Sequence, residues 1–341
     1  MPIVAAILLG LALAGVARAE DLPDQRPILR IEPGMHTAMI MRIGVNAACG
    51  LMVTGSYDKT ARLWALPKGG RGEAELLRTL RVPIGEGYEG RVNAVALSPD
   101  GKWVAAGGWD AGYVGVGRGT VSVYIFEAAT GRLVTRLGRL GNVIDHLAIS
   151  PDGSRLAATL GGGEGMRLWE SAGWRLLAED KDYGGKASYG AAFDGANRLY
   201  TVAYDGQIRR YGADGRFEAK APAQGGKEPS SVAVHPQGGK LAVGFSDTTA
   251  VEVYDARTLK RLYAADTSGV SGVILSPSLG PPTARGFLPA ELMVRPAHPS
   301  SSGKTKAGAS ARKRRCRKTS SRGFCPAAMA SRRAPPTPPS A

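Results

Sequence analysis

Cysteine and histidine are scarce in this 341-residue chain, which contains three cysteines and four histidines. Cys49 is the only cysteine before residue 272, so no disulfide can form within that part of the sequence. Cys316 and Cys325 have no histidine between them, and no group of His, Cys and carboxylate residues has the spacing of a metal site. We therefore expect no metal and no cofactor, and we assign no catalytic residue.

Long apolar runs are also missing, with one exception at the amino end. Ile3–Val16 is almost continuously apolar, and Ala17-Arg18-Ala19 follows it as a small-x-small pattern typical of secretory cleavage before Glu20. The run is shorter than the roughly 20 residues that a membrane-spanning helix requires. Although no Lys or Arg precedes it, we expect a signal peptide over 1–19 and a polar linker over 20–33. The mature chain is then periplasmic or extracellular, without a membrane span.

Acidic residues are almost absent after residue 272. Residues 273–341 contain 13 Lys and Arg, 11 of the 22 prolines and a single acid, Glu291. The formal charge of this segment is therefore +12, so the first 272 residues carry only +3 of the total of +15. The high isoelectric point belongs to a disordered basic tail over 273–341 and not to the sequence before it.

The most informative pattern that is present lies at 55–64. It reads Gly-Ser-Tyr-Asp-Lys-Thr-Ala-Arg-Leu-Trp, in which small polar residues suit a tight turn and an aromatic residue closes the next strand. Four later strands close in the same way, so the closing aromatics fall at 64, 126, 169, 211 and 254. The intervals are 62, 43, 42 and 43 residues, and Gly-rich loops at 83–90 and 109–120 account for the longer first one.

A second marker has the same period. Ser-Pro-Asp-Gly occurs at 98–101 and 150–153 between apolar strands, with degenerate copies at 193–195 and 235–238. These residues favour tight turns because proline presets φ, aspartate bonds to the local backbone and glycine accepts a positive φ. Together the two markers predict five units of four strands each, followed by a sixth unit that begins near Thr267 and is interrupted. The five units are 36–83, 84–139, 140–181, 186–221 and 229–265.

The decapeptide and its spacing resemble the WD40 repeat, of which each copy of roughly 40–45 residues supplies one blade of a β-propeller. Residues 34–266 resemble bacterial exported WD40 repeat proteins. This resemblance implies an all-β, WD40-like β-propeller over 34–272 that acts as a rigid scaffold for protein partners. A β-sandwich is disfavoured because it does not repeat four-stranded units. The alternative from another class is a propeller enzyme, lactonase-like or hydrolase-like, with its site in the central channel.

Three interpretations of the basic tail are open. It is a basic arm that binds polyanions such as nucleic acid, or a solvated extension without function, or an out-of-frame translation of a GC-rich gene. The third interpretation is favoured because residues 272–287 can be encoded by synonymous codons that, in a shifted frame, encode a strand followed by Ser-Pro-Asp-Gly. This is the place at which the sixth unit requires that strand and turn. Nucleic acid is a partner only if the tail is genuine protein.

The resemblance also implies roles for individual residues. His36, Ser56, Asp58 and Trp64 match the hydrogen-bonded network of a well-formed WD40 blade, so a catalytic triad of the first three is disfavoured. Propeller ligands are expected on exposed loops, where aromatic and polar residues form binding hot spots. The loop candidates for partner binding are Tyr88, Trp109, Asp110, Tyr113, Asp182 and Tyr183.

Overall fold

The computed structural model describes residues 32–48, 50–109 and 121–268, and the backbone of 273–276 and 293–296. Twenty consecutive strands in these ranges form five antiparallel sheets of four strands each. The first sheet contains β1 (Ile40–Val45), β2 (Leu51–Ser56), β3 (Thr60–Ala65) and β4 (Glu75–Arg81). The second contains β5 (Val92–Leu97), β6 (Trp103–Gly108), β7 (Val121–Glu127) and β8 (Leu133–Leu140). The third contains β9 (Ile144–Ile149), β10 (Arg155–Leu160), β11 (Gly165–Glu170) and β12 (Leu176–Asp180).

The fourth and fifth sheets continue the same order. The fourth contains β13 (Ser188–Phe193), β14 (Leu199–Ala203), β15 (Gln207–Tyr211) and β16 (Phe217–Pro222). The fifth contains β17 (Pro229–Val234), β18 (Lys240–Phe245), β19 (Val251–Asp255) and β20 (Arg261–Ala264). Each sheet lies within its predicted unit to within one residue. The described ranges contain one short 3-10 helix, Lys68–Gly70, and no helix long and apolar enough to cross a membrane.

The sheets are stacked through their first strands. β1 contacts β5, β5 contacts β9, β9 contacts β13, and β13 contacts β17, so the five sheets follow one another around a common axis. This arrangement confirms the predicted fold class, an all-β WD40-like β-propeller in which each sheet is one blade. Beyond the fifth blade, β21 (Val273–Ser276) contacts β17 and β18 and pairs with β22 (Met293–Pro296). These two strands lie within the segment predicted to be a disordered tail, and the rest of 273–341 lies outside the described residues.

The core lies between neighbouring blades. Val53, Val95 and Tyr124 belong to a buried cluster between the first two blades, and further clusters join each later pair. All six residues of β5 are buried, because a blade packs on each of its faces. Burying one Val, Leu or Ile side chain stabilises by about 1.5–3 kcal/mol, so the stacking of blades is the main source of stability.

The repeated turns have the predicted chemistry. In the second blade, Ser98 Oγ donates to Asp100 Oδ1 at 2.7 Å and accepts from the Trp103 amide at 2.9 Å. The third blade repeats this with Ser150 and Asp152, at 2.6 Å. Gly101 and Gly153 have φ of +74° and +75°, the left-handed region in which glycine is the least strained residue.

Candidate partner-binding face

Antiparallel pairing divides the loops between two faces of the propeller. The turns between second and third strands and all connections between blades lie at one end of the strands, which we call the upper face. The turns between first and second strands, and between third and fourth strands, lie at the lower face. Tyr88, Trp109, Asp182 and Tyr183, the described residues among those predicted to bind a partner, therefore belong to connections at the upper face.

A hydrogen-bonded chain links four side chains of the first blade. His36 Nδ1 lies 2.8 Å from Asp58 Oδ2, and His36 Nε2 lies 2.7 Å from Thr54 Oγ1. Trp64 Nε1 donates to the same Thr54 oxygen at 2.8 Å. Because the carboxylate only accepts, His36 Nδ1 carries a proton, and in the neutral ring Nε2 accepts the Thr54 hydroxyl proton. Each polar group in the chain thus has a partner.

Asp58 is held in its charged form by this network. Burial alone would raise the pKa of Asp58, but hydrogen bonds from His36, Thr60 and the Thr37 amide outweigh it. The pKa of Asp58 therefore lies well below its usual range. The arrangement fixes the upper end of the blade and offers no free nucleophile or base, which agrees with the structural role that the resemblance implies.

The hydroxyl of this network belongs to Thr54, so the assignment of Ser56 is corrected. Ser56 Oγ donates to the Ala38 carbonyl at 3.2 Å and accepts from the Asp58 amide at 3.1 Å, which supports the turn. Ser56 has no bond to His36 or Trp64 in the described structure. Strand register explains the difference, since Thr54 lies two residue pairs closer to Trp64 than Ser56 does on the ladder that joins β2 and β3.

The prediction that Tyr183 binds a partner from an exposed loop is also corrected, because its side chain is fully buried. Its hydroxyl lies 2.8 Å from both Thr201 Oγ1 and Tyr211 Oη, and burial raises its pKa to about 12. Tyr183 lies 18 residues before Thr201, as His36 lies 18 residues before Thr54. Tyr211 lies 10 residues after Thr201, as Trp64 lies 10 residues after Thr54. Tyr183 is therefore the fourth blade's counterpart of His36, and sequence reasoning missed it because no histidine marks the position.

The other blades lack this network. By strand register, the place of Thr54 is taken by Ala106, Ala158 and Val243 in the second, third and fifth blades. None of these side chains can join a histidine to an indole. The fifth blade has a different polar contact, in which Tyr254 Oη accepts from the Gln224 amide at 2.9 Å and donates to Glu252 Oε2 at 2.5 Å.

Buried arginines form another repeated feature that sequence reasoning missed. Arg62, Arg167 and Arg209 each stand two residues before a closing aromatic and are at most 4% exposed. Arg62 pairs with Glu32 at 2.8 Å, Arg167 pairs with an oxygen of Glu164 at 3.1 Å, and Arg209 pairs with Asp205. Their common offset from the aromatic was the signal in the sequence. Because each buried guanidinium already has a close carboxylate partner, we assign these arginines a structural role and not a role in ligand binding.

A cluster of three aromatic rings and one arginine lies on the upper face of the first two blades, with Tyr88 exposed and the other three side chains partly buried. Tyr88 is 51% exposed and its ring centroid is 5.6 Å from that of Trp109. The Arg91 guanidinium carbon lies 4.2 Å from the Tyr88 ring centre and 4.8 Å from that of Tyr57. We call Tyr57, Tyr88, Arg91 and Trp109 the aromatic–arginine cluster. It brings together Tyr88 and Trp109, which were predicted from separate loops, and adds two residues that were not.

Backbone hydrogen bonds join the two loops that carry Tyr88, Arg91 and Trp109. The Gly90 amide donates to the Trp109 carbonyl at 2.7 Å, and the Trp109 amide donates to the Arg91 carbonyl at 3.0 Å. Gly90 has φ of +85°, and a Cβ at this position would lie 2.8 Å from the Pro83 carbonyl oxygen. Glycine is therefore required here, and the cluster is presented on a pinned backbone.

The remaining loop candidates have separate outcomes. Asp182 is exposed on the upper face, and its Oδ2 lies 3.2 Å from Lys220 Nζ, so it remains available to a partner. Asp110 and Tyr113 lie outside the described residues. Within the described ranges, no group of three or more His, Cys, Asp or Glu side chains could hold a metal ion.

The fold defines the class, a WD40-like β-propeller, and comparison with known proteins finds WD40 repeats in part of the chain. Residues 34–65 and 75–111 match the family model described as WD domain, G-beta repeat. The chain is 28% identical over 137 residues to Small ribosomal subunit protein RACK1y of Oryza sativa subsp. japonica. It is 27% identical over 128 residues to WD repeat-containing protein VIP3 of Arabidopsis thaliana. The matches cover 40% and 38% of this chain, and 34% of each relative's length.

Proposed function

We propose that this chain is a non-catalytic protein-interaction scaffold that binds partner proteins on its upper face through the aromatic–arginine cluster. The exposure of Tyr88 beside Trp109 and Arg91 is the observation that carries this proposal. Trp, Tyr and Arg are the residues most enriched among interface hot spots. The similarity to WD-repeat proteins, one of them named as a ribosomal subunit protein, supports a role in assembly.

The geometry of the cluster favours binding energetically. Large aromatic side chains are the main apolar surface that interfaces bury, and the contact between the Tyr88 and Trp109 rings limits the rotamer freedom that a partner must remove. The pinned backbone of Gly90 and Trp109 reduces the cost of ordering the loops on association. A partner that covers Tyr88 and Trp109 would thus gain apolar burial at low conformational cost.

The test compares two double variants of equal chemistry on opposite faces. Tyr88→Ser with Trp109→Ser removes the two rings from the upper face. Leu133→Ser with Leu176→Ser removes two exposed apolar side chains, 47% and 45% exposed, near the lower face. We expect the upper-face variant to lose specific partners captured by the wild-type chain, and the lower-face control to retain them. Equal capture by both variants would refute the assignment.

We also propose that the mature chain is exported by a bacterial cell and acts in the periplasm or outside it. The apolar run with its small-x-small end supports this proposal. Intact-mass analysis of the chain recovered from the host should show an amino terminus at Glu20. Recovery in the cytosol with residues 1–19 retained would contradict it.

The reading frame of the basic segment is a further proposal. We infer that residues 273–341 are out of frame, because their charge and proline content change abruptly where the sixth blade is due. Sequencing the gene across codons 268–275 tests this directly. The inference fails if the corrected or alternative frame encodes no strand-turn-strand pattern. In that case, loss of heparin binding on removal of 273–341 would instead assign the tail to polyanions.

A further inference from the structure

The first blade is packed against a neighbouring blade on one face only. Ile43 on β1 is 42% exposed, whereas Val95, which has the equivalent place on β5, is 3% exposed. Val95 is covered because it packs on Gly55 of the preceding blade, where an added Cβ would lie 2.8 Å from it. Among the described strands, no blade covers Ile43 in this way. The first blade is therefore the least constrained of the five.

Arg42 joins the first blade to the far side of the axis. On β1, it donates from Nη2 to the Tyr189 carbonyl on β13 at 3.5 Å, so the first blade reaches the fourth. The charge of Arg42 also acts on Asp145 of β9, in the third blade. The third blade is itself held between the second and the fourth, since β9 contacts both β5 and β13. Of the two blades that carry Arg42 and Asp145, the first is thus the one that can move outward.

Asp145 is a buried carboxyl group whose Oδ2 has no hydrogen-bond partner in the described structure. A charged oxygen in such a place is costly, because no donor replaces the water that it loses. Burial accordingly raises the pKa of Asp145 to about 7, although the charge of Arg42 lowers it. Its neighbour His146 faces the fourth blade, where its Nδ1 accepts the Ala191 amide at 3.1 Å. Asn93, the equivalent residue of β5, is uncharged.

The described groups that surround Asp145 at the axis include more acids than bases. The Tyr189 and Tyr204 rings of the fourth blade are stacked, with centroids 4.2 Å apart. Burial, and then the charge of Asp145, raise the pKa of Tyr189, and the charge of Glu228 acts in the same direction. When Asp145 and Glu228 are both ionised, their two negative charges face the single positive charge of Arg42. Ionisation of Asp145 therefore adds a buried charge that Arg42 does not fully balance.

We propose that Arg42 and Asp145 form a latch across the axis, which holds the first blade in place while Asp145 is protonated and lets it open when Asp145 ionises. Outward movement of the first blade admits water to Asp145, and water stabilises the carboxylate more than the neutral acid. The attraction between the carboxylate and Arg42 opposes this opening but does not cancel it, because the pKa of Asp145 stays above its usual range.

The direction of the pH dependence follows from the pKa in each form. In the closed form the pKa of Asp145 is about 7, and in the open form it returns towards about 4. The closed form is therefore fully favoured below about pH 4, and its advantage falls as pH rises to about 7. The latch concerns the conformation of the propeller and does not depend on the aromatic–arginine cluster.

Hydrogen exchange of the full chain, followed by mass spectrometry, measures the opening of β1 directly. Exchange is compared at pH 6 and pH 8, with exchange times scaled for the intrinsic rate at each pH. From the two pKa values, we expect the opening equilibrium of β1 to rise about tenfold over this interval. Peptides from β10 report unfolding of the whole chain and should change less. An equal change in β1 and β10, or no change in β1, would overturn the latch.

Three variants locate the effect, and the comparison of the wild-type chain at two pH values stands without them. Asp145→Asn keeps the shape and removes the titration, so exchange of β1 should become independent of pH. Asp182→Asn makes the same change at an exposed carboxylate and should retain the tenfold rise. Arg42→Gln removes the charge that lowers the pKa of Asp145, so the midpoint of opening should move to higher pH. The latch is wrong if Asp145→Asn keeps the rise or if Arg42→Gln leaves the midpoint unchanged.

Discussion

Removing the Thr54 hydroxyl should destabilise the first blade more than any other single-atom change in its network. Thr54→Val keeps the volume of the side chain, so no cavity forms. Trp64 Nε1 then loses its acceptor at 2.8 Å, and His36 Nε2 loses its partner at 2.7 Å. A buried polar group left unsatisfied costs about 1–3 kcal/mol, and Trp64 is partly accessible, so we expect a loss of about 2–4 kcal/mol. For a chain of this size, about 2–4 °C of melting temperature accompanies each kcal/mol.

The assay is urea and thermal denaturation of the full chain, followed by tryptophan fluorescence. Ser56→Ala is the matched control, because Ser56 has one donated and one accepted bond at 3.2 and 3.1 Å but, in the described structure, no hydrogen bond to His36 or Trp64. We expect this control to lose about 1 kcal/mol, the usual worth of such bonds. The reasoning is refuted if Thr54→Val loses no more stability than Ser56→Ala.

Three other predictions concern buried and pinned residues. Tyr183→Phe should lower the free energy of unfolding by about 1–2 kcal/mol in urea denaturation and leave partner capture unchanged, while Asp182→Ala should shift it by less than about 0.5 kcal/mol. Gly90→Ala should lower the free energy of unfolding by about 1–3 kcal/mol in urea denaturation, because the alanine is strained at the positive φ and its Cβ lies too close to the Pro83 carbonyl oxygen. The same variant should also weaken partner capture. Burial raises the folded-state pKa of Asp145 to about 7, near Arg42, Tyr189 and Tyr204, whereas the unfolded chain releases this proton near pH 4. The contribution of Asp145 to stability should therefore fall as pH rises from about 4 to about 7, and urea midpoints of Asp145→Asn should not show this fall.

The blade pattern was predictable because the repeat imposes the same physical constraint several times. Each blade must close on an aromatic residue that packs on its neighbour, and each lower turn must bend tightly. The residues at 64, 126, 169, 211 and 254, and the Ser-Pro-Asp-Gly turns, therefore recur at a nearly constant interval. Spacing of this kind survives local substitutions, which is why even the weakly marked fourth and fifth units were located correctly.

The site was predictable only in part, because contacts across blades have no fixed spacing. Tyr88 and Trp109 were predicted as loop residues, but Arg91 and Tyr57 join them through the packing of three separate loops. Tyr183 was assigned to a binding loop because adjacent glycines suggest exposure, whereas its ring points into the blade core. Sequence alone does not tell which side of a short connection faces inward.

The β-bulge that recurs in the first strand of each of the five blades was missed for a related reason. Asp145 and Tyr189 lie 44 residues apart in different blades, and each looks like an ordinary strand residue. Only the common β-bulge brings them to one level around the axis. A bulge leaves no dependable trace in composition, since any of Met, Asn, Asp, Tyr or Ser occupies it here.

Site-specific photocrosslinking tests the central claim, binding of partner proteins on the upper face, most directly. A photoreactive residue is placed at position 88 in one chain and at position 133 in another, two sites of similar exposure on opposite faces. We predict that the crosslinker at 88 captures a discrete partner band in the native host extract and that the crosslinker at 133 captures none. The same band from both positions, or from 133 alone, would contradict the assignment.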